Sequence, residues 1–136
     1  MKKTLITFIA VTFSMPVYAD MHLFFLAKAQ GSNEAPELVF VNMKSYRASQ
    51  CEAAIENLAD NAQKQNIDLV DGRCMNTFYK FSQPAEDFRY VYLLTYLGGA
   101  PTLSLMATVE DCYREMKNSD DGDMFCGRAS QRIVYP

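Results

Sequence analysis

The chain has 136 residues, with 13 Lys and Arg against 16 Asp and Glu and a single histidine. An acidic balance argues against nucleic acid and against anionic membrane surfaces as partners, and it is compatible with a basic protein partner. The length suits one domain with a real core, which needs no metal to fold.

Residues 1–19 read as a signal peptide. Lys2 and Lys3 open the chain, the apolar run Leu5 to Phe13 follows, and Pro16 precedes Val17-Tyr18-Ala19. A basic start, a short apolar stretch and a small-residue exit make up the secretory pattern. The run is too short to cross a hydrocarbon core about 30 Å thick, and it has no polar face for a folded helix. Cleavage is expected after Ala19, leaving a mature domain of residues 20–136 in the bacterial periplasm or the medium, with no membrane insertion afterwards. Asp20 rather than Cys follows the cut, which argues against a lipid anchor there.

The first expected strand is His22–Lys28, then the loop GSNEAP, then a second strand at Glu37–Met43. A helix follows with Cys51, Ala54, Ile55, Leu58 and Ala62 on one face. Ser49 with Glu52 has the spacing of a capping box. Cys74 leads into a third strand, Met75–Phe81, and Ser82–Asp87 forms a joint too short to be a flexible linker. The second half repeats the plan: Phe88–Leu97, the turn GGAP, Thr102–Ala107, a helix carrying Val109, Cys112, Tyr113 and Met116, and a closing strand within Cys126–Tyr135. Thr108 with Asp111 is the second capping box, and both hairpins have Gly entering and Ala-Pro leaving the turn, at Gly31 with Ala35-Pro36 and at Gly98 with Ala100-Pro101. The expected fold is α+β: a mostly antiparallel sheet of about six strands with two helices on one face. The units are read as a β-β-α-β duplication, with pseudo-repeats 20–81 and 88–136.

Cys51, Cys74, Cys112 and Cys126 are an even set in an exported chain and read as two disulfides. Four cysteines allow three pairings, and spacing alone does not choose among them. The repeat favours Cys51–Cys74 and Cys112–Cys126, each tying the first turn of a helix to the strand after it. There is no C-x-x-C and no nearby histidine, so metal ligation and redox catalysis are not expected.

Strand Phe88–Leu97 is apolar on both sides, which marks it as central or covered twice. Its row Phe88, Tyr90, Tyr92 and Tyr96 is the candidate recognition surface, against ordinary packing as the alternative. The acidic stretch Asn118–Asp123 lacks the alternating ligands of a calcium loop and reads as a turn pivoting on Gly122. Arg73 and Arg128, each within two residues of a strand cysteine, are a second and weaker candidate, an anion grip. His22 stands so close to the expected cut that poor order is anticipated, and no nucleophile elbow accompanies it.

No motif names a family. In organisation the chain resembles small disulfide-bonded envelope proteins of Gram-negative bacteria, immunity proteins among them. The expectation is a non-enzymatic, cofactor-free binding protein whose partner is another protein, for instance a toxin or a cell-wall hydrolase. The alternatives are a secreted effector and an envelope homodimer.

Overall fold

The structure is a computed structural model and describes residues 20–43, 47–97, 100–119 and 123–134. The expected signal peptide, Gly98 of the second hairpin turn, Asp120 to Gly122 of the acidic stretch and Tyr135 lie outside the described residues.

The described residues form eight strands and two helices. The first half contains β1 (Asp20–Ala29), β2 (Glu37–Asn42), α1 (Ala48–Lys64), β3 (Ile67–Thr77) and the two-residue β4 (Lys80–Phe81). The second contains β5 (Tyr90–Leu97), β6 (Ala100–Met106), α2 (Val109–Asn118), β7 (Asp123–Ala129) and the two-residue β8 (Ile133–Val134). Six strands form one sheet in the order β3-β1-β2-β7-β5-β6, and β4 pairs with β8 in a small second sheet. Within each half the first strand is central, flanked by that half's second strand and by the strand that follows its helix. All ladders are antiparallel except the one at the seam, where β2 runs parallel to β7. The fold is α+β, as expected.

Both disulfides have the pairing that the repeat favours, Cys51–Cys74 and Cys112–Cys126. Each joins the first turn of a helix to the strand that follows. Each of the two helix cysteines is fully buried.

Side-chain alternation sorts the sheet into two faces. On the outer face Leu23, Phe25 and Cys74 pack against Cys51, Ala54, Ile55 and Leu58 of α1, and Val91, Leu93 and Cys126 pack against Cys112 and Met116 of α2. On the inner face Phe24, Leu26, Leu38, Phe40, Tyr92, Leu94, Tyr96, Leu103 and Ala129 form one cluster drawn from both halves. Among the described residues, Phe81 of β4 and Ile133 of β8 pack over part of it. The sheet covers itself by curling, so that its edge strands β3 and β6 approach each other. Arg73 on β3 reaches Tyr96 on β5 and Asp123 on β7, although β1, β2 and β7 separate β3 from β5 in sheet order.

The seam between halves is narrow. Glu37 opposite Arg128 is its one registered pair, supported by the Arg128 N–H donating to the Pro36 carbonyl at 2.8 Å. Gly127 is needed here, because a Cβ would stand 2.7 Å from the Leu38 Cβ. Beyond the end of β7 the Gln131 amide takes over as a surrogate strand. Its Oε1 accepts from the Phe40 N–H at 3.0 Å and its Nε2 donates to the Phe40 carbonyl at 2.9 Å. Buried main-chain groups need such partners, and the chain supplies them here by side chain. The joint Ser82–Asp87 is held in turn: the Ser82 N–H donates to the Arg132 carbonyl and the Ala85 N–H to Ser130 Oγ.

Three local expectations need correction. α1 begins at Ala48 with Arg47 as its N-cap, and the Gln50 side chain accepts the Arg47 N–H at 2.7 Å. Ser49 therefore lies within the first turn and is not its cap, whereas Thr108 does cap α2, its Oγ1 accepting from the Asp111 N–H at 3.1 Å. β3 begins at Ile67, eight residues before the expected start, so Cys74 stands well inside the strand. Cys126 is likewise inside β7, and Ile133–Val134 forms a separate strand after a break. A bulge breaks the alternation along β3. Leu26 pairs with Asp71 but Ala27 pairs with Leu69, which leaves Val70 as the extra residue. Leu69 before the bulge and Gly72 after it therefore both face α1.

Candidate functional site

The row Phe88, Tyr90, Tyr92 and Tyr96 does not form an open surface. Tyr92 is 2% exposed and Tyr96 8%, both inside the inner cluster, while Phe88 and Tyr90 are half-buried. The curl of the sheet is the reason, since it turns the face of β5 opposite α2 into core. The Tyr92 hydroxyl accepts the Ile133 N–H at 3.2 Å, anchoring β8 over this end of the core.

The two arginines beside strand cysteines are each already held by acids. Arg73 lies over the Tyr96 ring, 4.0 Å from its centroid, and pairs with Asp123 at 2.9 Å and Asp71 at 3.2 Å. Burial works against the Arg73 charge, but the hydrogen bond it donates to Asp123 and the charge of Asp71 outweigh it and raise the guanidinium above its ordinary range. Burial also pushes the Tyr96 phenol well above the ordinary tyrosine range, and the Asp71 carboxylate adds to the effect. Neither the Tyr96 hydroxyl nor Asp71 Oδ2, both buried, completes a well-angled hydrogen bond. Arg128 pairs with Glu34 at 3.1 Å and donates to the Ala35 carbonyl at 3.3 Å. These sites brace loops and strands, and they do not converge on one anion.

A concavity lies elsewhere, where the start of β1, the end of β2 and the segment after β4 meet. A cleft of about 620 Å³ runs between the last residues of β2 and the segment Lys80–Pro84. Its walls carry Asp20, His22, Asn42, Lys80, Ser82 and Gln131, and its floor is the stacked pair Phe40 and Phe81, 4.0 Å between ring centroids. His22 is firmly placed, contrary to the poor order expected so close to the cut. It is 3% exposed and sits edge-on to Phe81 at 5.4 Å. Its Nδ1 lies 3.1 Å from the Asp20 carbonyl oxygen. A carbonyl can only accept, so Nδ1 is the donor in this contact.

Around this end the chain exposes apolar side chains. Phe78, two residues before Lys80, is 69% exposed, Val134, opposite Lys80 in the β4–β8 ladder, is 40% exposed, and Val41 in the cleft wall is 37% exposed. Sequence reading missed this end because its parts come from distant segments: the start of β1, the end of β2, the Phe78–Pro84 stretch, and Gln131 with β8. The one usable signal was Phe78 beside the Thr77–Lys80 break.

Among the described residues no group of His, Cys, Asp and Glu side chains is arranged to hold a metal, and no helix is long and apolar enough to cross a membrane. Comparison with protein-family models, curated proteins and solved structures finds no match. Two disulfides within so small an α+β fold fit a protein of an oxidising compartment, outside the cytoplasm.

Proposed function

We propose that this is an exported, non-enzymatic binding protein of the bacterial periplasm or medium, processed after Ala19, that docks on another protein through the cleft end of the fold. The observation that carries the reading is Phe78, a large aromatic side chain 69% exposed on a disulfide-braced scaffold. Solvent-facing aromatics beside apolar neighbours and a charged rim supply the anchors on which interface energy concentrates. A scaffold whose helices are pinned to its strands gives up little conformational freedom on docking. Asp20 and Lys80 at the rim bring both signs of charge, and the overall acidity favours a basic partner. A toxin or a cell-wall hydrolase to be masked matches this chemistry.

The test is quantitative capture by the oxidised chain from periplasm and from competitor secretions, with Phe78→Ser run beside it. A partner retained by the parent and lost by a folded Phe78→Ser supports the reading. No partner at any salt concentration, or equal capture by the variant, overturns it. A second reading, the envelope homodimer, is favoured by Leu105, 66% exposed on edge strand β6. Light scattering decides it, a single-chain mass ruling it out. The effector alternative predicts that the mature chain accumulates in the medium and not in osmotic-shock fluid.

A further inference from the structure

The chain's one histidine occupies the third place of the sequence that processing after Ala19 would expose, Asp20-Met21-His22. This placement has a specific chemical consequence. A free α-amine, the next two main-chain amides and a third-position imidazole close two five-membered chelate rings and one six-membered ring around a single ion. The six-membered ring closes only through Nδ1. Four nitrogens in a plane suit Cu(II) and Ni(II), which favour square-planar geometry.

We propose that Asp20-Met21-His22 of the processed chain binds one Cu(II) or Ni(II) ion through the Asp20 amine, the Met21 and His22 amide nitrogens and His22 Nδ1. The inference rests on the export reading, because the amine exists only after cleavage. Three protons leave on binding, one from the α-ammonium group and one from each amide. The imidazole keeps one proton, which moves from Nδ1 to Nε2, so the bound ligand set carries two negative charges against the ion's two positive ones.

Two features of the structure favour the site. Nδ1, the nitrogen that the chelate requires, already faces the main chain of this tripeptide, 3.1 Å from the Asp20 carbonyl oxygen. Asp20 is the first residue of β1, so the ladder yields from its end, Asp20 opposite Thr77, Met21 opposite Asn76, and His22 between Met75 and Asn42; the packing of Met21 beside Leu23 and Met43, and the Met43 N–H donated to the Met21 carbonyl at 2.7 Å, yield with it. Amides that have given up their protons cannot donate to a ladder. Binding therefore lifts these three residues from the sheet and withdraws His22 from its edge-on contact with Phe81, with the adjoining cleft of about 620 Å³ giving them room. β1 from Leu23 onward keeps its pairing and its buried Phe24 and Leu26. A side-chain inventory does not reveal such a site, because three of its four ligands are main-chain nitrogens.

The test uses the exported chain purified from periplasm, its N-terminus fixed by intact mass, titrated with Cu(II) and separately with Ni(II) at neutral pH. The expected result is one equivalent bound with the visible absorption of a four-nitrogen square-planar complex. In the diamagnetic Ni(II) form the Met21 and His22 amide resonances disappear while those from Phe24 onward persist. One alanine inserted between Ala19 and Asp20 moves His22 to fourth place without touching β1, and it should abolish this spectrum. His22→Ala should do the same. A chain that begins at Asp20 yet binds no stoichiometric ion overturns the site and leaves the export reading standing. So does binding that the inserted alanine leaves unchanged. A native chain that begins elsewhere overturns the site together with the cleavage position on which it rests.

Discussion

Replacing Gly127 by alanine places a methyl group where β7 runs against β2, the one line along which the two halves join in the sheet. The new Cβ would stand 2.7 Å from the Leu38 Cβ and 3.2 Å from Leu26 Cδ2. Both leucines are fully buried, and the Leu38 Cβ is fixed to strand main chain, so neither can simply swing aside. Overpacking of this kind costs about 1–3 kcal/mol, and a clash with a Cβ belongs at the upper end. In a domain of this size each kcal/mol moves Tm by about 4 °C, so Gly127→Ala should melt about 10 °C below the parent. Gly72→Ala is the matched control on β3. Its Cβ would meet Ile55 Cγ2 at 3.4 Å, an ordinary contact, and the loss of glycine freedom in the unfolded chain is worth about 0.4–1 kcal/mol in its favour. The assay is urea and thermal unfolding of the oxidised mature chains, followed by far-ultraviolet circular dichroism. If Gly127→Ala is as stable as Gly72→Ala, the seam is not packed as described and the single inner core is wrong.

Three further outcomes follow from the same packing. Gln131→Ala strips the Phe40 N–H and carbonyl of their partners and should cost about 2 kcal/mol or more in urea unfolding. Tyr96→Phe removes a buried hydroxyl without a completed hydrogen bond, so stability at neutral pH should stay within about 1 kcal/mol of the parent. The variant should separate from the parent in alkali. The folded chain holds the Tyr96 proton to higher pH than the unfolded chain does, so this stabilising contribution is complete below the ordinary tyrosine value of about 10 and is lost as pH rises past it. Urea midpoints measured across that range should fall less steeply for Tyr96→Phe. Removing either disulfide by paired alanine substitutions should cost about 3 kcal/mol, because the bridges close loops between residues 23 and 14 positions apart in sequence.

Much of the architecture was legible because it depends on local patterns. The cysteine-bearing apolar faces and the repeat order gave both disulfide pairings, Thr108 with Asp111 marked the start of α2, and the doubly apolar β5 announced a strand covered on both sides. What escaped depends on contacts between distant segments. The early start of β3 does not show as alternation, because Val70 bulges and reverses the phase and the inward positions at 71 and 73 carry Asp and Arg. The tyrosine row was legible as a row, but its direction was not, since the curl of the sheet, with the β4–β8 pair over part of the cluster, buries Tyr92 and Tyr96. His22 was undervalued for its nearness to the cut, when Phe81, brought from far along the chain, fixes it in place. The exposed cleft end is assembled from the start of β1, the end of β2, the Phe78–Pro84 stretch and Gln131 with β8, and no window of sequence contains it.

The decisive measurement is a mass map of unreduced peptides from the exported chain. The account predicts two linked pairs, Cys51 with Cys74 and Cys112 with Cys126, each confined to its own half, and no free thiol. A bridge from Cys51 to Cys112 or Cys126, or unpaired cysteine in the folded chain, would contradict it, because the helices would then not be pinned to the strands that shape the core and the cleft.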